Sequence, residues 1–450
     1  MENTNSNTSD RLVWFKLTKF HVIRIILPLL LIGLVYCVSD NGKGNSNVNG
    51  VLPIIDIEEG LGNVRPVYLS EFAKSVSYIP LETKVGLELR GIVSFSSMDT
   101  LFFVSDGRVC ILYSSTGKVI KQIGSHGRGP GEYTMADRLE VTTVNTLHIQ
   151  NYVTLLKFDL NGELLGSFNC FQNTGGSGIT RNWVSLNDSL LFVHARNDTG
   201  EELYKAMLID LAGGIRSGFQ NYIHFKQDKK LVASYSGYSS FHRYLEAVGF
   251  KEAFNDTLFY LSPRFELVPG YVFNMGRYKV SYMDLINNSA FKREYAYTRD
   301  IFETDKHILI ILQGLCNAFR KETPTVSVVN TFSGQVINRE SWYDTYDLLV
   351  IYDKSTTNTF LVDVSMDEKS DFGQGFINDL DGGPNFYPSF THDGENLIMS
   401  IQSNELKSYV SGEGFKNAPA KHSEKKKALE ELANGLSEFD NPVLMVVRMK

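Results

Sequence analysis

Short apolar segments separated by polar turns recur along most of the chain. Four of them are paired runs with a glycine between them, at Gly117, Gly162, Gly213 and Gly334, and the first pair is "VCILYSSTGKVIKQIG". Such pairs predict β-hairpins, because glycine allows the tight reversal that joins two strands. The first two intervals between these glycines are 45 and 51 residues, a spacing typical of four-stranded propeller blades.

Two further strand-like runs precede each hairpin, so that each unit supplies four strands. They are "GIVSFS" and "TLFFVS" in the first unit, "RLEVTTV" and "TLHIQNY" in the second, and "WVSLN" and "SLLFVHA" in the third. A fourth unit is predicted from "HRYLEAVGF", "EAFN", "TLFYLSP" and "YVFNMG", and a fifth from "RDIFET", "ILIILQ" and the hairpin at Gly334. The sixth takes "NFYPSFTHDG", "NLIMSIQ" and "PVLMVVRMK", and "VSYIPLE", which precedes the first unit, supplies its outer strand.

The pattern therefore predicts an all-β fold, a six-bladed β-propeller with four-stranded blades, closed by pairing of its N- and C-terminal strands. Closure removes exposed strand edges that would otherwise pair with other chains. One helix is predicted, "SEKKKALEELANG" (423–435), with Ser423 as its N-cap and Gly435 as its stop. Its apolar stripe is narrow, so it is expected on the outside as an insertion, and "SEFAKS" (70–75) predicts a single turn.

The N-terminus predicts export. Four basic residues, Arg11, Lys16, Lys19 and Arg24, precede the 14-residue apolar run "IILPLLLIGLVYCV", which is shorter than the ~20 residues of a comfortable membrane span. Either residues 1–37 are a lipoprotein signal that places Cys37 for acylation, or they form an uncleaved membrane anchor; Tyr36 departs from the small residue usual before the acylated cysteine. Both interpretations export the rest: a flexible tether over 38–64, then the propeller over 65–450, attached to the cell envelope on its periplasmic or surface side.

Composition narrows the functional classes. The net charge of −7 and the absence of a long basic block argue against nucleic acid as a partner. With Cys37 assigned to lipid, Cys110, Cys170 and Cys316 form no CxxC pair and are expected to be buried apolar side chains. No HExxH or GxSxG motif occurs, so we assign no catalytic residue, metal ligand or cofactor. Calcium is a weak candidate only, at Asp379 and Asp381 of "NDLDGG".

The glycine-rich segment "IGSHGRGPGEY" (123–133) lies between two predicted strands. It matches neither GxGxxG nor a P-loop, and the β-rich "MADRLEVTTV" follows it where a phosphate-binding loop would need a helix. We therefore interpret it as a structural link from blade 1 to blade 2. This inter-blade loop consists of Gly124, Gly127, Gly129, Pro130, Gly131, Glu132 and Tyr133.

The loop resembles the inter-blade signature of NHL-type repeats, and more closely that of the bacterial six-bladed β-propeller lipoproteins. Further segments resemble the same family: "LSEFAKSVSYIPLET" (69–83), "FNDTLFYL" (254–261), "NDLDGGPNFYP" (378–388) and "DNPVLMVVRMK" (440–450). The NHL-type Pro-x-Gly after the loop is absent. The resemblance implies architecture and an envelope location; the molecular function of that family is largely undefined.

Arginines recur at or before the predicted inner strands: Arg90, Arg138, Arg181, Arg243 and Arg299. Inner strands line the channel of a propeller, so these guanidinium groups could form a ring at one mouth and bind a carboxylate, phosphate or sulfate. Alternatively, each arginine pairs with a neighbouring carboxylate and holds adjacent blades together.

Two functions follow from these features. The first is an exported, lipid-anchored propeller that binds an anionic sugar, a peptide or an envelope protein without catalysis. The alternative is a metal-dependent lyase or hydrolase that works in the channel, which the scarcity of clustered histidines disfavours. Fold alone does not decide between them.

Overall fold

The computed structural model describes residues 51–172, 182–197, 200–226, 239–281, 284, 295–314, 325–329, 336–340, 346–363, 374–392 and 394–450. Within them, six sheets of four or five strands surround a central channel, which confirms the predicted six-bladed β-propeller. In each blade the strands run antiparallel from the channel outwards, in the order in which the chain forms them, except where the N-terminal segment adds a strand.

Blades 1 to 3 follow the sequence pattern closely, four strands each. Blade 1 consists of β4 (Ser94–Met98), β5 (Leu101–Ser105), β6 (Cys110–Ser114) and β7 (Val119–Ile123). After the short strands β8 (Ser125–His126) and β9 (Glu132–Tyr133), blade 2 consists of β10 (Arg138–Val141), β11 (Thr146–Asn151), β12 (Thr154–Asp159) and β13 (Leu164–Phe168). Blade 3 consists of β14 (Trp183–Ser185), β15 (Leu190–His194), β16 (Tyr204–Asp210) and β17 (Ile215–Gln220).

Blades 4 and 5 differ from the prediction. Blade 4 consists of β18 (Ser239–Tyr244), β19 (Ala247–Glu252), β20 (Thr257–Leu261) and β21 (Leu267–Asn274), followed by a 3-10 helix (Gly276–Tyr278). "HRYLEAVGF" is thus the hairpin β18–β19 and not one strand, with Leu245 at its turn at φ 52°. Blade 5 consists of β22 (Ala296–Glu303), β23 (His307–Gly314), β26 (Tyr346–Asp353) and β27 (Thr359–Val362).

The prediction that the hairpin at Gly334 belongs to blade 5 is wrong. Its strands β24 (Thr325–Val329) and β25 (Val336–Glu340) pair only with each other, as a separate two-stranded sheet inserted between β23 and β26. The third blade strand is instead "YDLLVIYD", whose Leu348, Val350 and Tyr352 are buried against blade 4. A hairpin with a glycine at its turn can form from the local sequence alone, whereas a strand of a blade must also be buried on both of its faces.

Blade 6 closes the ring as predicted. It consists of β28 (Phe390–Thr391), β29 (Asn396–Ile401), β30 (Val443–Met449) and, from the N-terminal side, β3 (Ala73–Pro80). The pairing of β3 with β30 runs from Ala73 opposite Met449 to Pro80 opposite Val443. The last strand of the chain is therefore held between one strand that immediately precedes it and one from the start of the propeller.

Residues 54–64, predicted as part of the tether, belong to the propeller. Strand β1 (Ile54–Asp56) pairs in parallel with β21, and β2 (Val64–Arg65) pairs in parallel with β27, so blades 4 and 5 each gain a fifth, outer strand. Helix α1 (Ile57–Gly62) connects them, with Asp56 accepting a hydrogen bond from Glu59 N at 2.9 Å. Its apolar residues join the core between the two blades, which a polar tether would not do.

The other helices lie beside blade 6. Helix α2 (Leu69–Phe72) is the predicted single turn, and α3 (Ser403–Ser411), α4 (Glu413–Asn417) and α5 (Ser423–Gly435) are inserted between β29 and β30. Helix α5 has the predicted bounds, but its N-cap is His422 and not Ser423. Leu429 and Ala433 of its apolar stripe are buried in the core between blades 5 and 6. The sequence pattern missed α3 and α4, which are short and mostly polar.

Apolar side chains fill the space between each pair of neighbouring blades, including the pair that closes the ring. Cys110 lies in the core between blades 1 and 2 and Cys170 in that between blades 2 and 3, both buried and free, as expected. Cys37 and Cys316 lie outside the described residues.

The glycine-rich loop connects β7 to β10, that is, blade 1 to blade 2. Within it, β8 and β9 pair in parallel, and Gly124 and Gly131 have φ of 61° and 76°, a region that disfavours other residues. Tyr133 is buried; its hydroxyl accepts a hydrogen bond from Cys110 N at 2.8 Å and donates one to Ile123 O at 2.7 Å. The loop NH of Gly129 donates to Glu132 at 2.7 Å, so the loop bonds to itself and to blade 1.

Candidate functional site

A cavity of about 790 Å³ lies at one mouth of the central channel. Its wall is formed mainly by the inner strands β4, β10, β14, β18, β22 and β28, so all six blades contribute. Aromatic side chains lie among its polar residues: Phe95, Phe241, Tyr244 and Phe390. The volume falls within the range of roughly 300–1,000 Å³ that small-molecule sites occupy.

The charges that line this cavity are mixed. The acidic residues are Asp137, Glu140, Asp300, Asp305 and Glu395, and the basic residues are Lys74, Arg138, Arg243 and Lys450. The predicted uniform ring of arginines is therefore not what the described residues form. Recognition at this mouth depends on which charged groups are already paired within the protein.

The five predicted arginines occupy different environments. Arg138 and Arg243 line the cavity, Arg90 and Arg299 do not, and Arg181 lies outside the described residues. Arg90 is exposed, four residues before β4, and its carbonyl accepts a hydrogen bond from Gln402 at 3.4 Å. The arginine ring thus reduces to two side chains at the channel mouth.

Arg243 connects three blades. From β18 in blade 4, its Nη2 donates to Glu140 Oε1 of blade 2 at 2.7 Å and to the carbonyl of Ser185 in blade 3 at 2.6 Å. The second oxygen of Glu140 accepts from Ser185 N at 2.8 Å. Arg243 therefore has its counter-ion inside the protein. It fits the hypothesis that the arginines hold blades together better than the hypothesis that they bind a ligand.

Arg299 is turned away from the cavity by a β-bulge. Thr298 pairs with Leu312 and Asp300 with Ile311, which leaves Arg299 as the extra residue on β22. Its Nε donates to Asp300 at 2.9 Å, and its Nη1 forms an ion pair with Asp347. Although burial acts to lower the pKa of Arg299, Asp300 and Asp347 raise it above the usual value. Arg299 is thus a fully paired charge within blade 5.

Arg138 differs from Arg243, the other predicted arginine that lines the cavity, in its partners. Its Nη2 donates to the carbonyl of Trp183 at 2.8 Å, its guanidinium lies 5.9 Å from that indole ring, and its Nε is buried with no hydrogen-bond partner. Within the described part of the chain no carboxylate lies within 4.0 Å of it. Burial lowers the pKa of Arg138, with Arg243 acting in the same direction and Glu140 and Asp300 opposing them. A half-buried guanidinium that no carboxylate contacts directly therefore lines the cavity.

A second polar cluster lies between blades 4 and 5. The carboxylate of Glu303, whose side chain is 1% exposed, accepts hydrogen bonds from His242 Nε2 at 2.9 Å and from the Tyr260 hydroxyl at 2.7 Å. It also forms an ion pair with Lys354 at 2.7 Å. Burial acts to raise the pKa of Glu303, but the donors from His242 and Lys354 hold it below the usual value. His242 lines the cavity, and its Nδ1 is buried without a partner.

Sequence reasoning placed His242 on an inner strand but missed this cluster, because its partner Glu303 is 61 residues away in another blade. One local signal was available. Gly249 lies opposite His242 in the hairpin, and a Cβ there would stand 2.1 Å from the imidazole Cε1. A glycine inside a strand, facing a histidine, indicates a ring packed flat against the backbone.

The described residues contain no group of three His, Cys, Asp or Glu side chains placed to hold a metal ion. At the calcium candidate, Asp379 accepts from Ser70 N at 2.9 Å and Ser70 Oγ at 2.6 Å and pairs with Lys421 at 2.9 Å. Asp381 accepts from Asn378 at 2.7 Å and Gly383 N at 2.9 Å. These carboxylates serve as acceptors that fasten blade 6 to its helices, and nothing in their geometry supports calcium.

In the part of the chain that the structure describes, no helix has the length and apolar character needed to cross a membrane. The predicted signal or anchor, residues 1–37, lies outside that part.

Residues 52–448 match the domain of unknown function DUF4934. No curated protein sequence matches the chain. Among solved structures, a Bacteroides fragilis protein named as a candidate exported protein is 16% identical, with a TM-score of 0.60 over 88% of this chain and 99% of that one. A DUF4221 member from Bacteroides vulgatus is 12% identical, with a TM-score of 0.47 over 84% of this chain and 97% of that one.

A streptogramin B lyase is 8% identical, with a TM-score of 0.33 over 65% of this chain and 88% of that one. The Bacteroides fragilis structure shows a shared fold, whereas the other two are too distant to bear on function. The assignments to NHL-type repeats and to propeller lipoproteins stay predictions.

Proposed function

Because this chain belongs to the DUF4934 family, which is defined without a function, we propose its role from the cavity itself: a non-catalytic binding module that takes a small anionic ligand at the channel mouth. The observation that carries this proposal is the unpaired guanidinium of Arg138. Buried charges in proteins are normally paired, because desolvation of an isolated charge is costly. A ligand carboxylate would supply the missing counter-charge.

Arginine suits this role because its planar donors match a carboxylate in a bidentate arrangement. Arg243 supports the site differently: its bonds to Glu140 and Ser185 hold blades 2, 3 and 4 in register around Arg138. The mixed charge of the remaining wall favours a ligand with polar groups beside its anionic one, such as an acidic sugar or a peptide C-terminus. No observation of the site favours the alternative of a metal-dependent lyase or hydrolase.

The test is Arg138→Gln in the purified propeller, with binding of D-glucuronate and trialanine measured by calorimetry. We expect wild-type protein to bind at least one of them and the variant to bind it roughly 10- to 150-fold more weakly, since a charge-assisted contact contributes about 1.5–3 kcal/mol. Wild-type affinity should also fall as salt is added. Arg299→Gln and Arg90→Gln are matched controls that should bind as wild type. Equal affinity in Arg138→Gln, or binding of neither probe, would refute the proposal.

We further propose that the propeller is exported and anchored in the cell envelope through lipid on Cys37. The basic residues before a 14-residue apolar run support export, and the polar stretch that follows Cys37 suits a tether. The Bacteroides fragilis protein of similar fold is named as a candidate exported protein.

For the anchor, Cys37→Ser should abolish incorporation of labelled palmitate in a bacterial host and leave a longer precursor. Cys110→Ser, a change at a buried free cysteine, should keep the label. Labelling of Cys37→Ser at the wild-type level would rule out acylation at this residue and favour the uncleaved anchor.

A further inference from the structure

A smaller pocket of about 170 Å³ adjoins the channel-mouth cavity, and we call it the inner pocket. Three phenylalanines, Phe95, Phe241 and Phe390, line both spaces together with Arg138, so the inner pocket is continuous with the cavity. None of these four residues is fully buried. A ligand that enters the cavity can therefore contact their side chains.

The three aromatic rings lie on opposite sides of the channel. Phe95 of blade 1 and Phe390 of blade 6 have ring centroids 5.8 Å apart and pack against the core between those two blades. Phe241 packs against the core between blades 3 and 4. In a ring of six blades these two junctions are opposite each other. The inner pocket is thus flanked by aromatic surface on two sides.

Packing behind the rings holds them in place. The ring of Phe95 lies 5.5 Å from that of Phe102, and the ring of Phe241 lies 5.2 Å from Phe192 and 5.1 Å from Phe250. These separations are typical of favourable aromatic pairs. Because the protein has already ordered these side chains, a ligand ring that enters between them does not lose affinity to their immobilisation.

Several polar side chains of the inner pocket already have partners within the protein. They are Glu303 with its three donors, Asp300 with Arg299, and Arg243 with Glu140. A ligand hydroxyl buried here would lose its hydrogen bonds to water and find few new partners, which costs affinity. An unsubstituted phenyl ring carries no such group, and a cavity of roughly 150 Å³ is large enough for benzene. The inner pocket therefore favours an apolar ring.

The cavity outside the inner pocket is more strongly charged. Lys74, Asp137, Asp305 and Glu395 line the channel-mouth cavity but not the inner pocket. A ligand that occupies both spaces thus needs an apolar ring inside, polar groups outside, and an anionic group at Arg138, which borders both. A peptide that ends in an aromatic residue has this arrangement, because its side chain, its carboxylate and its polar main chain diverge from one carbon atom.

We propose that the inner pocket holds the aromatic side chain of the C-terminal residue of a peptide, while Arg138 binds the terminal carboxylate. The inference rests on the proposed binding function, which requires only the carboxylate at Arg138. The inner pocket adds a preference for the side chain beside that carboxylate, and the charged wall of the outer cavity faces the preceding residues of the peptide.

The first experiment measures binding to the wild-type protein by calorimetry with four ligands: alanyl-alanyl-phenylalanine, its C-terminal amide, trialanine and hydrocinnamate. We expect alanyl-alanyl-phenylalanine to bind at least about tenfold more tightly than trialanine, because its phenyl ring is removed from water. It should also bind at least about tenfold more tightly than its amide, which lacks the charge for Arg138. Hydrocinnamate, which has the ring and the carboxylate without the main chain, should bind more weakly than the peptide.

The outcomes separate the inference from the function on which it rests. If trialanine binds as tightly as alanyl-alanyl-phenylalanine, the aromatic subsite is wrong while the carboxylate site at Arg138 stands. If the amide binds as tightly as the free acid, the anionic site is wrong. If hydrocinnamate binds as tightly as the peptide, the ligand is a free aryl carboxylate and the assignment to a peptide is overturned. If none of the four binds, both proposals fail.

The second experiment fills the inner pocket from its own wall. Ser389 is exposed and lines the pocket, so Ser389→Phe places a phenyl ring where the ligand ring would lie. The variant should bind alanyl-alanyl-phenylalanine about tenfold or more weakly than wild type, and the preference over trialanine should disappear. Ser408→Phe is the matched control, since Ser408 is exposed on helix α3 and lines neither space.

A wild-type preference retained in Ser389→Phe would place the ligand ring elsewhere and overturn the proposal. Should Ser389→Phe fail to fold, the four ligands on wild-type protein decide alone.

Discussion

The channel walls of blade 2 and blade 5 carry the same kinds of side chain but pair them differently. In blade 5, Arg299 is bonded to Asp300 and Asp347, and Glu303 is bonded to three donors. In blade 2, Glu140 bonds to Arg243 of blade 4 and to a backbone NH of blade 3, and no carboxylate contacts Arg138 directly. The charged groups of the blade 5 wall thus have partners within the protein, whereas no carboxylate contacts Arg138 in blade 2.

This difference separates stability from recognition. The pKa of Arg299 is raised by its two carboxylates, and the pKa of Arg138 is lowered by burial. A raised arginine pKa means that the folded protein stabilises the charged form, and a lowered pKa means that it disfavours the charged form. The blade 5 wall therefore holds the propeller together, and the blade 2 wall keeps a group available for a ligand.

The largest effect is expected at Glu303. In Glu303→Gln the ammonium of Lys354, whose side chain is 13% exposed, loses its counter-ion, and His242 and Tyr260 lose a charged acceptor. Removing one partner of a buried pair costs about 3–5 kcal/mol, so the free energy of unfolding in urea should fall by that amount. Glu395→Gln is the control, because its pair with Arg448 is more than half exposed and contributes under about 1 kcal/mol.

The same carboxylate predicts a pH dependence. The pKa of Glu303 in the fold lies below the ordinary 4.5, so its contribution is fully present above pH 4.5 and is lost as the pH falls through the lower, folded value. The unfolding free energy of the wild type should therefore fall more on acidification than that of Glu303→Gln, which lacks the carboxylate at every pH. Equal acid sensitivity of the two proteins, or a loss below about 1 kcal/mol at neutral pH, would contradict the assignment of Glu303 as a stabilising, fully paired charge.

Much of the fold could be predicted from sequence because blade strands are short, apolar and bounded by glycine turns. The closure by β3 and β30 followed from counting strands, since six blades of four left one outer strand missing. The prediction for blade 5 was wrong because the hairpin centred on Gly334 has the same pattern of apolar runs around a glycine as the hairpins of the blades. Its strands nevertheless pair only with each other. Burial against a neighbouring blade decides which strands join a blade, and this burial cannot be recognised from a short stretch of sequence.

The site was predictable only in part. The recurrence of arginines at inner strands located Arg138 and Arg243 at the channel mouth, but not their different pairing. Glu140 lies two residues from Arg138 along the strand, yet it bonds to Arg243, which is 103 residues away. The bulge that turns Arg299 aside likewise appears only when β22 is paired with β23.

The smallest effect compares the two arginines directly, by urea unfolding of Arg299→Gln and Arg138→Gln. Arg299→Gln leaves Asp347, whose pKa burial already raises, without its cation, so we expect a loss of about 1–3 kcal/mol. Arg138→Gln loses one hydrogen bond to the Trp183 carbonyl but also removes a half-buried charge that no carboxylate contacts directly. These effects oppose each other, so its unfolding free energy should change by less than about 1 kcal/mol. A greater loss in Arg138→Gln than in Arg299→Gln would mean that the blade 2 arginine is the structural one, and the assignment of the two walls would be reversed.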